Sequence, residues 1–179
     1  MAFYRQAGTI PRKRHTQHRR PDGSLYYEEL MGAEGFSSDS SLLYHRGVPS
    51  GIVDSQVWEL PDQSRTPNHP LKPRHLRLHT LFDQDSKADA VEGRRQVLGN
   101  SDVRISYVVT GTEPSPYYCN AIGDECVFVE SGTGTLETVF GTLAYRTGDY
   151  VVVPRATTHR WVPGEASRLY PIEASSHIS

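Results

Sequence analysis

Residues 123–134 read GDECVFVESGTG and residues 148–159 read GDYVVVPRATTH, and the spacing within and between these two stretches decides the fold. In the first, a carboxylate, Glu125, opens a hydrophobic strand that ends at Gly132. In the second, Gly148 precedes an apolar run, Pro154 and then His159. Gly132 and Gly134 bracket a tight turn, where a positive φ costs glycine little. Gly141 begins the return strand, and Gly148–Asp149 makes the next turn. Tyr150–Val153 is β-branched enough to fill a barrel interior. Pro154 has no N–H for a ladder, so the strand stops there. His159 follows at the start of the next strand and is expected to point toward the barrel axis.

Outward from this centre the pattern continues. Val103–Val109 (VRISYVV) alternates and then turns continuously apolar, as a partly buried strand does. Cys126–Glu130, Thr135–Phe140, Leu143–Arg146, Tyr150–Pro154, Arg160–Val162 and Leu169–Ile172 follow at short intervals, separated by Gly, Pro, Thr and Asp turns. Many short strands at regular spacing predict an all-β barrel or sandwich. Residues 1–90 differ, with prolines at 11, 21, 49, 61, 67, 70 and 73 and little helical periodicity. Only single strands are expected there, at Leu42–Tyr44, Gly51–Leu60 and His75–Phe82. Asp83–Arg95 (DQDSKADAVEGRR) is charged and apolar-poor, which predicts a surface loop. The expected organisation is an irregular strand-and-loop extension over 1–90 followed by a β-barrel over 91–179.

A chain of 179 residues can bury a sizeable single core. Its net charge of −2 excludes a global pull toward nucleic acid or membrane. No stretch is long enough to span a bilayer, and the basic N-terminus has no apolar segment behind it, so a soluble, cytoplasmic protein is expected. The basic run Arg12–Arg20 lacks interleaved aromatics and is expected to form a strand pairing with Glu28, Glu29 or another subunit rather than with nucleic acid. Cys119 and Cys126 are expected as two buried thiols.

The glutamate-to-glycine and glycine–proline–histidine spacings resemble the two signature motifs of the cupin superfamily, over about a fifth of the chain. The resemblance implies a double-stranded β-helix barrel, of a kind that usually holds a metal between three histidines and a glutamate. Here Tyr118, Cys119, Asn120 and Ala121 stand where the first motif normally supplies two histidines. An iron or zinc site needs three or four convergent donors, and only Glu125 and His159 remain as candidate ligands. Tyr118, Cys119 or Asn120 could complete a site; the preferred alternative is a structural His159 hydrogen-bonded to Glu125 or to backbone. No catalytic or cofactor-binding residue is assigned. His75 and His79, four apart, share one face of a helix or strand. Lys72, Arg74 and Arg77 surround them, which favours an anion-facing or interface strand over a metal site.

A narrower resemblance covers nearly the whole chain. Gly23-Ser24-Leu25-Tyr26 followed by Glu28-Glu29-Leu30, and Ser41-Leu42-Leu43-Tyr44, match the opening of bacterial homogentisate 1,2-dioxygenases. HPLKPRHLRLHTLF, LGNSDVRISYVVTG, YYCNAIGDECVFVESGTGTLETVFGTL and GDYVVVPRATTHRW continue the likeness. The resemblance implies an assembly of trimers and hexamers in which non-haem Fe(II) opens the ring of homogentisate to maleylacetoacetate, in tyrosine and phenylalanine breakdown. It also places the iron ligands in a C-terminal barrel and leaves the N-terminal barrel as a metal-free scaffold. The chain ends at IEASSHIS, at roughly half the length this family needs. A structural N-terminal barrel, inactive alone and lacking its C-terminal partner, is therefore expected. His15 and His18, or His75 and His79, are candidates to approach a neighbouring subunit's active site and its small aromatic substrate. The alternatives are a standalone cupin enzyme using Glu125 and His159, and a non-catalytic small-molecule-binding module.

Overall fold

The computed structural model describes residues 17–32, 37, 40–59, 62, 64–81 and 88–178. The chain divides into two compact units, Met1–Gln56 and Val57–Ser179. In the first, β1 (Tyr27–Gly32) and β2 (Ser40–His45) pair antiparallel, from Tyr27↔His45 to Gly32↔Ser40. Gly23, at φ 85°, turns the chain ahead of β1, and the Asp22 carboxylate accepts the Ser24 N–H at 2.9 Å. Across the ribbon His45 Nε2 meets Glu29 Oε2 at 2.7 Å.

Two expectations for this region need correction. Of the basic run, residues 12–16 lie outside the described residues, and the remainder does not pair with Glu28 or Glu29. Arg19 donates to Gln17 Oε1 at 2.7 Å and the Gly23 carbonyl at 2.8 Å. Arg20 donates to the Arg46 carbonyl at 2.5 Å and lies over the Tyr26 and Tyr27 rings at 5.6 and 5.1 Å, so aromatic faces take the place of carboxylates. No strand forms over 51–59. Its Ile52, Val53 and Val57 are almost fully exposed, and β-branched residues favour strands only where they pack on a neighbour.

The second unit holds β3 (Arg95–Gly99), β4 (Val103–Val109), β5 (Glu125–Ser131), β6 (Thr133–Thr138), β7 (Gly141–Arg146), β8 (Tyr150–Val153), β9 (His159–Pro163) and β10 (Arg168–Ala174). These form two antiparallel sheets, ordered β3-β4-β10-β5-β8 and β7-β6-β9. Side chains alternate across a strand, so Val127 and Val129, Val151 and Val153, and Leu169 all turn to one face. There they meet Leu136, Tyr145 and Trp161 from the smaller sheet in a single apolar cluster. The strands close as two facing sheets, an all-β jelly roll, rather than as one hydrogen-bonded ring. Gly132 and Gly134 do not bracket a tight turn: Gly134 lies inside β6, and Gly132 alone carries the chain from one sheet to the other. That link needs glycine twice over: φ is 104°, and a Cβ would lie 2.1 Å from Ser167 Oγ. Pro171 sits in the central strand β10, whose pairing with β4 lapses between Leu169↔Val108 and Ile172↔Ile105. A residue without an N–H cannot serve both neighbours, and pairing with β5 runs straight through it.

Two loops also depart from expectation. Over 75–81, the described part of the strand expected at His75–Phe82, no strand forms; Leu78–Leu81 makes one helical turn, α1, started by the Thr80 N–H bonding the Arg77 carbonyl at 3.0 Å. The later part of Asp83–Arg95 is not a surface loop, because Ala90, Val91 and Arg94 are buried. Asp89 Oδ1 accepts the N–H groups of Val91 and Glu92 at 2.7 and 3.0 Å, and this tight turn tucks its short apolar pair into the core.

Candidate functional site

The inward alternation that packs valines at one end of the core places acids at the other. Glu125, at the head of β5, and Glu173, near the end of β10, are cross-strand partners in register. Both are almost fully buried. Like charges directly opposite on a sheet face repel, and a buried carboxylate without a partner is costly. Arg94 resolves this. Its Nη2 lies 2.9 Å from Glu125 Oε2 and its Nη1 donates to Glu173 Oε1 at 3.3 Å. Its Nε donates to the Ala90 carbonyl at 3.0 Å, which ties the guanidinium to the tucked turn. Arg104 completes the group through Glu173 Oε2 at 2.6 Å.

The contact with Glu125 is close but off the hydrogen-bond axis, so it acts mainly through charge. Burial alone pushes the Glu125 carboxyl up, yet the close Arg94 charge brings it below the ordinary carboxylate value. Burial likewise works against the Arg94 cation, and the two carboxylates more than offset it. Asn120 fixes the other side of the carboxylate: its Nδ2 donates to Glu125 Oε1 at 3.2 Å, while its Oδ1 accepts the Ile122 N–H at 3.0 Å. The Asn120 carbonyl accepts the Ala156 N–H at 2.7 Å, where Ala156 adopts φ 63°.

Tyr118 and His159 form a closed bridge, with N–H to carbonyl distances of 2.8 and 2.9 Å. Their rings meet edge-on at 5.6 Å, and the Arg94 guanidinium lies 5.4 Å from the Tyr118 ring centre. Trp58 packs against Tyr118 at 6.0 Å and donates its indole N–H to Glu92 at 2.9 Å. Burial, then the Glu125 charge, raises the Tyr118 hydroxyl pKa. His159 is fully buried. Its Nδ1 lies 2.8 Å from the Thr157 carbonyl; a carbonyl only accepts, so Nδ1 carries the proton and Nε2 of the neutral ring is left as an acceptor. Burial holds its pKa below the ordinary histidine value, and Nε2 has no hydrogen-bond partner.

These residues do not fit the metal that a cupin barrel usually holds. Glu125 faces a guanidinium on one side and an amide on the other. A metal ion there would sit beside a cation that does not deprotonate. Among the described residues, no three His, Cys, Asp or Glu side chains are grouped to hold a metal ion. Cys119 is exposed and Cys126 half-buried, both free, which corrects the expectation of two buried thiols. A cleft of about 240 Å³ opens beside Arg104 and Glu173, lined also by Arg65 and Asp102; it is smaller than sites for drug-sized ligands.

The remaining candidates scatter. His75 is exposed, and His79 on α1 pairs with Glu130, which also accepts from the Tyr107 hydroxyl. His18 packs on the Tyr44 ring at 4.5 Å, and His15 lies outside the described residues. Sequence reading missed Arg94 and Glu173. The signal for Glu173 was present: in RLYPIEA it falls on the same alternate positions as Leu169 and Pro171, and an acid on a buried face requires a partner.

No family profile matches the chain. It is 33% identical over 174 residues to a protein of Saccharolobus solfataricus named "putative dioxygenase", covering 97% of this chain and 44% of that protein. The chain thus spans less than half of that relative's length. Among solved structures, an RmlC-like cupin protein from Desulfovibrio desulfuricans matches with a TM-score of 0.50 and 15% identity, covering 59% of this chain and 99% of that one. A cupin superfamily protein from Desulfitobacterium hafniense matches with a TM-score of 0.49 and 17% identity, over 62% and 98%. The eight strands of the second unit adopt the cupin jelly-roll fold. No helix among the described residues is long and apolar enough to cross a membrane.

Proposed function

We propose that this chain is the structural barrel of a ring-cleaving dioxygenase of the homogentisate 1,2-dioxygenase type, and that the Fe(II) chemistry is carried by another part of the full assembly. The observation that carries this reading is the Arg94 guanidinium seated between Glu125 and Glu173, at the carboxylate where a cupin motif would place a metal. The relative named as a dioxygenase supports it, since 97% of this chain aligns within 44% of that protein. The barrel's part is to fold, to remain rigid and to present its surface to the rest of the assembly. Oxygen uptake by the purified chain with homogentisate and added Fe(II) tests this. The expected rate is that of the buffer blank; homogentisate-dependent uptake by this chain alone would overturn the reading.

A second reading, a small-molecule-binding module, draws on one observation: His159 Nε2 is a buried acceptor without a donor, behind the Tyr118 and Trp58 rings. It predicts that a small phenol raises the melting temperature in proportion to log concentration, without turnover.

A further inference from the structure

The two-stranded ribbon gathers two arginines that no acid answers. The Arg20 guanidinium lies over the rings of Tyr26 and Tyr27, 5.6 and 5.1 Å from their centres. Its Nη2 donates to the Arg46 carbonyl at 2.5 Å. That bond ties the turn ahead of β1 to the chain leaving β2, and so brings Arg46 beside it. Both side chains line one concavity of about 510 Å³, whose other walls are Pro21, Asp22 and Tyr26. All five residues belong to the first unit. The Asp22 carboxylate is engaged by its own turn, where Oδ1 accepts the Ser24 N–H at 2.9 Å and the Ser24 hydroxyl at 2.7 Å. Among the described residues neither Arg20 nor Arg46 forms an ion pair. Two guanidinium charges against one occupied carboxylate leave the concavity positive.

We propose that this concavity is a binding site for a phosphate group. A guanidinium presents a planar fork of donors that matches the oxygens of a phosphate or a carboxylate. One fork satisfies a carboxylate, whereas two cations match the near-double charge of a phosphate at neutral pH. The tyrosine rings and the Arg46 carbonyl hold Arg20 in place before any ligand arrives, so binding does not have to order that side chain. The concavity is larger than one phosphate needs. The remaining space, beside Pro21 and Tyr26, suits the organic part of a small phosphate monoester.

This site is independent of the dioxygenase reading, since neither arginine belongs to the Arg94 cluster. Isothermal titration of the full chain at fixed ionic strength tests it with inorganic phosphate, phenyl phosphate and acetate. Phosphate should bind at one site per chain, and acetate at least about tenfold more weakly. Tighter binding of phenyl phosphate marks an ester as the ligand and equal binding marks free phosphate; either result supports the site. Arg46→Gln, at an exposed position, should weaken phosphate binding at least about tenfold. Arg20→Lys keeps the charge but loses the fork, and should do the same. Far-UV circular dichroism of each variant checks that the fold persists. No binding of phosphate up to about 10 mM, acetate held as tightly as phosphate, or affinity unchanged in Arg46→Gln would overturn the inference.

Discussion

The two ends of the jelly-roll interior solve one packing problem in opposite ways. At one end Val127, Val129, Leu136, Trp161 and Leu169 pack together as an apolar cluster. At the other, the same strands β5 and β10 turn Glu125 and Glu173 inward, and Arg94 holds them apart. The apolar end derives its stability from area and shape. The ionic end has no such reserve, because burying charge is costly unless every partner is present. Two acids buried at this point require a cation, and here the chain supplies its own as the Arg94 side chain.

The sharpest way to break the contrast is to remove one partner at the ionic end. Arg94→Ala leaves two facing carboxylates buried, and urea unfolding should show a loss of about 3–5 kcal/mol. Combining Arg94→Met with Glu125→Gln and Glu173→Gln removes the charges together and should restore most of that loss. If the triple variant is as unstable as Arg94→Ala alone, geometry rather than charge dominates this end. At the apolar end Val129→Ala should cost about 2–3 kcal/mol through lost burial and a residual cavity, and no second substitution among charged residues should rescue it.

Acid separates the two ends further. The folded Glu125 carboxyl lies below its ordinary value of 4.5, so the folded state binds fewer protons than the unfolded chain. Its contribution is therefore present above pH 4.5 and lost as pH falls through the lower folded value. The folded His159 pKa lies below 6.5 and acts with the same sign in a higher window, with stability declining as pH drops below 6.5. Stability measured against pH should thus fall in two steps, and His159→Phe should remove only the upper one. The smallest effect belongs to the separate ribbon: its half-exposed Glu29–His45 pair should lose under about 0.5 kcal/mol in Glu29→Gln.

The strand pattern was legible because turns and alternation are local. Gly132, Gly148 and Pro154 mark strand ends in the sequence and do so in the fold. Glu125 and His159 were legible as inward residues for the same reason. Arg94 was not, because its role depends on two acids that lie 31 and 79 residues away in the chain, and nothing local distinguishes it from a solvated arginine. The strand expected at 51–60 is absent over its described residues, 51–59, for the complementary reason: its valines and isoleucine met no sheet to pack against.

In the proposed reading, the Arg94 guanidinium stands at the carboxylate where a cupin motif would hold a metal. Purified chain should be incubated with Fe(II), and separately with Zn(II), then desalted and assayed for bound metal alongside its melting temperature. The account predicts no stoichiometric metal and no change in melting temperature for the native chain. One tightly held ion per chain, with a raised melting temperature that Glu125→Gln abolishes, would contradict it.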